Sequence, residues 1–151
     1  MYKTLIIFIL FSTFLFAQQL KIQFNTGDSD IDQHLQEVNT YGKVEYDFFK
    51  KELSLKFGIT VREIDKYVYT EKINPGDLYY ACAISSTTGK KVGDIISLYK
   101  NKKGWGAVAQ EMGIKPGSKE FQKLKSKSIS GIGKVKTMHT DNGQGKSKKK
   151  K

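Results

Sequence analysis

The chain has a single cysteine, Cys82, which removes any internal disulfide, because a bridge needs two thiols. In "LYYACAISS" that cysteine lies between alanines on an expected helix, where it reads as a small buried apolar residue rather than a reactive thiol. Two histidines, His34 and His139, stand far apart, and no His/Cys/Asp cluster has metal-ligand spacing. "DSDID" at 28–32 hints at a calcium loop, but its sixth position is Gln33 and its twelfth Asn39, where such a loop needs glycine and glutamate. "TTGKK" lacks the upstream glycine of a phosphate loop, and no Gly-x-Ser-x-Gly is present. Asp94 and Glu111 are the carboxylates available for an acid pair, with nothing in the sequence to join them. No catalytic constellation emerges, and nothing calls for a cofactor.

Long apolar runs are also scarce. The longest, Thr4–Ala17, spans 14 residues, too short for a membrane helix of roughly 20. Lys3 precedes it and Gln18 and Gln19 follow, the pattern of a secretory signal peptide cleaved after Ala17. The expected organisation is a signal peptide over 1–17, an extended leader over 18–29, a helical domain over 30–128 and a tail over 129–151. Cys82 lies too far on to anchor a lipid at the cleavage site.

Charge separates the last two parts. Residues 18–114 hold 13 Lys and Arg against 13 Asp and Glu, whereas residues 115–151 hold 12 Lys against Glu120 and Asp141. The end, "GIGKVKTMHTDNGQGKSKKKK", cannot bury enough apolar surface to offset chain entropy and reads as disordered. Lys146, Lys148, Lys149, Lys150 and Lys151 are its candidate polyanion-binding residues, suited to an anionic envelope polymer or lipid surface.

With only two prolines and apolar residues recurring every three or four positions, the globule reads as all-α. Ile31, Leu35 and Val38 share a face behind Asp30 as N-cap. Val44, Phe48 and Leu55 form a stripe beside Phe49, Leu53 and Phe57, ended by Gly58. Thr60 caps a helix with Val61, Ile64 and Val68 inward. "NPGD" starts another, capped by Asn74 and burying Leu78, Ala81, Cys82 and Ser85 up to Gly89. Val92, Ile95, Ile96 and Tyr99 mark a short helix, and Trp105, Val108, Ala109 and Met112 the next, stopped by Gly113. Ser118 caps a last helix with Phe121 and Leu124. The expected fold is a compact bundle of about seven short helices arranged as helix-turn-helix hairpins.

Ser54-x3-Gly58-x5-Ile64 and Ser85-x3-Gly89-x5-Ile95 repeat one spacing, and Ala109-x3-Gly113 begins a third copy. A small residue, a left-handed glycine and an isoleucine that packs back suit a tight helix-turn-helix. A DNA reader needs more, namely a recognition helix with Arg, Asn or Gln aimed at base edges. "TVREIDKYVYT" is charge-balanced and "KVGDIISLYK" offers little beyond terminal lysines, so specific nucleic-acid binding is not expected. Trp105 between two glycines admits two readings, a core anchor or an exposed ligand contact. Tyr69 and Tyr80 fall off the apolar stripes and join Trp105 as a candidate contact surface.

"TGDSDIDQHLQEVN", "FFKKELSLKFGI", "NPGDLYYACAIS" and "NKKGWGAVAQEMGIKPGSKEF", with the Gly- and Lys-rich end, resemble a family of small exported proteins of Gram-negative bacteria of the Bacteroidetes type. The resemblance covers about residues 24–128 and the character of the tail, and Gly-Trp-Gly…Gly-Ile-Lys-Pro-Gly-Ser is its most specific part. It implies one exported helical domain with a basic tail, and it carries no catalytic or binding residues. The functional expectation is a non-enzymatic periplasmic or secreted interaction protein. The alternatives are an enzyme acting on an envelope polymer or, third, a helix-turn-helix nucleic-acid binder.

Overall fold

Three alternate acids, Asp28, Asp30 and Asp32, compete to open the first helix. In the computed structural model, which describes residues 22–102 and 104–131, Asp28 takes that role. Its backbone is extended and its Oδ1 accepts from the amides of Asp30 (3.0 Å) and Ile31 (3.1 Å), satisfying donors that a helix start leaves free. The cap is therefore Asp28 rather than the expected Asp30, and Asp30 lies in the first turn beside Asp32, where the positive helix end favours acids. Helix α1, Ser29–Val44, buries Ile31, Leu35 and Val38 together with Asn39 and Gly42.

Helix α2, Tyr46–Phe57, follows after one residue. Its sequence offers two apolar stripes, and the structure buries only Phe49 and Leu53. Phe48 (44% exposed) and Leu55 (73%) face outward, and Val44 (73%) closes α1 instead, a correction to the expectation that Val44, Phe48 and Leu55 line one stripe of a single helix. Helix α1 and the helix Pro75–Thr88 both pack on α2. Helix α3, Val61–Asp65, has a full capping box. Thr60 Oγ1 accepts from Glu63 N (3.2 Å), and Glu63 Oε2 accepts from Thr60 N (3.0 Å). The Thr60 hydroxyl, which donates to Glu63 Oε2 (2.7 Å), and then the Thr60 amide hold the Glu63 carboxyl below its ordinary range. Ile64 is buried, but Val61, at the first helical position beside the cap, is largely exposed. The chain then widens into a π-helical turn, Lys66–Thr70.

Helix α4, Pro75–Thr88, is the axis of the fold. Every residue from Pro75 to Ile84 is buried, the signature of a helix surrounded on all sides. Helices α1 and α2, the π turn, α5 (Val92–Asn101) and α7 (Lys119–Ile129) all pack on it, while α6 (Trp105–Glu111) packs on α5. Among the described residues there are seven helices and no strand. The α1–α4 contact is a backbone approach. A Cβ on Gly76 would stand 2.7 Å from the Leu35 carbonyl oxygen and 2.6 Å from the Phe24 ring.

The sequence repeat corresponds to two matching caps. Gly58 (φ 71°) donates its N–H to Ser54 O, and Gly89 (φ 74°) donates to Ser85 O. Ile64 and Ile95 pack back into the core. The third copy departs, because Gly113 N bonds Gln110 O and it is Ile114 N that reaches Ala109 O. Ser118 caps α7 as expected, accepting from Phe121 N. Helix α7 runs through Ile129, one residue beyond the expected domain boundary, and residues 1–17 lie outside the described residues.

The two glycines separate strain from clash. Gly89→Ala meets nothing within 4 Å, so its cost is the positive φ alone, about 1 kcal/mol. Gly76→Ala forces the α1 backbone away and should cost about 1–3 kcal/mol as overpacking. Chemical denaturation of both variants measures the difference, and a Gly76→Ala cost below that of Gly89→Ala would contradict the close approach.

Candidate functional site

Trp105, read as either a core anchor or an exposed contact, and Tyr80, a candidate for the contact surface, are both 0% exposed. The indole Nε1 donates to Asp77 Oδ1 at 2.7 Å. Tyr99 stacks on the indole (centroids 4.1 Å, 7°), and Tyr80 meets it edge-on (5.4 Å, 87°). Asp77 also accepts from Asn74 Nδ2 (3.1 Å), so Asn74 orients this carboxylate instead of accepting at the α4 N-terminus. Burial and Asp77 push the Tyr99 phenol above its ordinary range, and burial does the same to Tyr80. Being off a stripe implies exposure only on a helix with a free side, which α4 lacks around Tyr80.

The flanking glycines serve the backbone. Trp105 N donates to Phe24 O (3.1 Å) and Gly106 N to Asn25 O (2.8 Å), pinning the extended leader against α6. A Cβ on Gly104 would stand 2.8 Å from Asn25 Cβ, and one on Gly106 would stand 3.1 Å from the carbonyl oxygens of Asn25 and Thr26. Gly-Trp-Gly is therefore a docking point for residues 24–26.

Tyr69 behaves as expected and is 58% exposed. It meets Tyr46 edge-on (5.1 Å, 65°). The Tyr46 hydroxyl donates to Asp65 Oδ1 (2.9 Å), and Lys50 Nζ lies 4.7 Å above the Tyr46 ring. These two rings wall a groove of about 350 Å³ whose floor is Gly42, Val68, Ile73 and Pro75. Lys43, Lys72 and Asn74 complete its lining.

The acids that suggested chemistry have other tasks. Asp28 and Asp30 both pair with Lys125 (2.8 and 2.7 Å), and Asp32 accepts from Thr26 through N and Oγ1. Glu111 pairs with Lys102 (2.7 Å), while Asp94 lines a separate groove beside Glu63 and Tyr67. Among the described residues no group of three metal-ligating side chains is present, and no helix is long and apolar enough to cross a membrane. Cys82 is buried, with its thiol pushed up to about 12 by that burial.

Sequence reasoning missed one cluster, where α7 ends. Lys56 Nζ donates to Tyr79 OH (2.5 Å) and to Lys127 O (2.6 Å), closing the last turn of α7 with a cation, the sign that end favours. Lys127 Nζ in turn donates to Ser86 O (2.8 Å) and contacts Ser86 Oγ. Burial, with repulsion from Lys127, pushes the half-buried Lys56 amine down to about 8. His34 lies behind it. Burial holds the imidazole below its ordinary range, and Nε2 has no partner. Only long-range pairing makes this cluster, so no local motif announces it.

Lys146, Lys148, Lys149, Lys150 and Lys151 lie outside the described residues. Comparisons with protein-family models, curated proteins and solved structures find nothing that matches this chain.

Lys56 makes stability depend on pH in a defined direction. Below pH 8 the amine is charged in both the folded and unfolded states, and its burial cost is fully present. Between about 8 and the ordinary 10.5 only the unfolded chain holds that proton, so the contribution of Lys56 to stability improves as pH rises. Lys56→Met lacks this gain. The Tm of the variant relative to the wild type should fall between pH 7 and pH 9, and a constant difference would contradict the burial of the amine.

Proposed function

We propose that the protein is an exported, non-enzymatic binding module that holds an anionic envelope component through its lysine-rich C-terminal segment. The observation that carries this reading is the division of charge: a balanced body up to residue 114, then 12 lysines against two acids. Clustered lysines attract anionic surfaces at about 1 kcal/mol each close to a charged membrane. The attraction has little stereochemical selectivity and weakens with salt.

The way α7 sits adds to the reading. Two of its lysines are used internally, Lys125 on Asp28 and Asp30, and Lys127 on Ser86. Lys115, Lys119 and Lys123 are exposed and have no partner among the described residues. A polyanion reaching the tail would meet these three as well. The nucleic-acid alternative draws less support, since α3, in the place of a recognition helix, has five residues and its Glu63 is committed to the cap.

Truncation tests the reading, provided the cut respects α7. Ser128 is buried, and Ser130 Oγ approaches Lys56 Nζ at 3.4 Å, so the segment to remove is 132–151. The truncated protein should leave a heparin or lipopolysaccharide matrix at clearly lower salt than the full chain, with an unchanged Tm. Release at the same salt would reject the segment as the binding element. A C-terminal phosphatase fusion, active only outside the cytoplasm, tests export separately, and an inactive fusion would contradict that part.

A further inference from the structure

We infer that the groove between Tyr46 and Tyr69 is a binding site for a small amphiphile with a flat apolar body and an anionic head. This inference does not depend on the C-terminal segment or on export. The groove holds about 350 Å³, within the range of ligand pockets of roughly 300–1,000 Å³. Gly42, Val68, Ile73 and Pro75 bring no charge to it, Asn74 spends its amide N–H on Asp77, and its wall is a pair of tyrosine rings, one mostly in solvent. An edge-to-face pair with one open face suits a further aromatic or other flat apolar group.

The head group follows from the lysines. Lys43 and Lys72 both line the groove, and neither has an ion-pair or hydrogen-bond partner among the described residues. Their neighbours show what a committed lysine looks like: Lys50 bridges Asp47 and Asp65, and Lys66 and Lys100 share Glu71. No carboxylate belongs to the lining. An apolar slot flanked by two uncommitted cations complements an anion carried on an apolar body.

The backbone supplies an independent reason. The π-helical turn Lys66–Thr70 contributes Val68 and Tyr69 to the groove. Such turns are rare and recur at functional sites. Two residues later Lys72 adopts φ 58°, a left-handed conformation costly for a residue with a Cβ. Together these irregularities turn Tyr69 outward and place Lys72 in the lining. A regular helix with a glycine at position 72 would be easier to fold, and strain retained at one place points to use.

The test titrates the isotope-labelled full-length protein with naphthoate, naphthylmethanol and naphthylmethylammonium while backbone amide shifts are followed. Naphthoate should give saturable shifts centred on residues 42–46 and 68–74, and should bind about tenfold more tightly than the alcohol, the sum of two exposed charge contacts. The ammonium should bind more weakly still. Lys43→Gln combined with Lys72→Gln should erase the preference for the anion while leaving the alcohol unaffected. Tyr69→Ala, at a ring mostly in solvent, should remove the saturable shifts without lowering Tm. The proposal is overturned if shifts fail to saturate, if they centre on Phe48 and Leu55 or on residues beyond 131, if the three heads bind alike, or if Tyr69→Ala binds as the wild type does.

Discussion

The bond from Trp105 Nε1 to Asp77 Oδ1 is the constraint on which the arrangement rests. Helix α4 is buried from Pro75 to Ile84, and it carries a carboxylate into that environment. A buried carboxylate needs donors to offset lost hydration. Trp105 and Asn74 provide them, and each does so only if its own segment is correctly placed. The bond thus ties α6 to α4, Tyr99 stacks on the indole from α5, and the Trp105 and Gly106 amides hold the leader at residues 24–26. Four segments, α4, α5, α6 and the leader, meet around Trp105.

A core organised around Trp105 leaves no concave aromatic site at the centre. What is left outside is the groove at the π turn, the outward stripe of α2 and the uncommitted lysines of α7. These surfaces differ in chemistry. The groove combines tyrosine rings with two lysines, whereas α7 presents the exposed Lys119 and Lys123. Lys56 sits where α7 ends, holding the Lys127 carbonyl in that helix's last turn.

Local signals were legible because they are local. The caps at Thr60 and Ser118, the left-handed glycines 58 and 89 and the faces of Ile31, Leu35 and Val38 follow from spacing alone. Spacing fails where two answers satisfy it equally: Val44, Phe48 and Leu55 form as good a stripe as Phe49 and Leu53, and only the position of α4 decides. It fails differently for Tyr80. A stripe was assigned to α4, although no charged residue occurs between Leu78 and Gly89, and that absence indicates a helix buried all round. For Trp105 the missing fact was tertiary, since nothing near "KGWGA" shows that the glycines make room for residues 24–26. Tyr69 was placed correctly because the turn that carries it does have a free side.

Trp105 is the only tryptophan, so its fluorescence reports on the central bond without labelling. Acrylamide quenching of the native and the denatured protein, read with the emission maximum, tests the account most directly. A core indole bonded to Asp77 predicts blue-shifted native emission and quenching several-fold weaker than in denaturant. Native quenching as efficient as that of the denatured chain would place Trp105 in solvent and contradict the account.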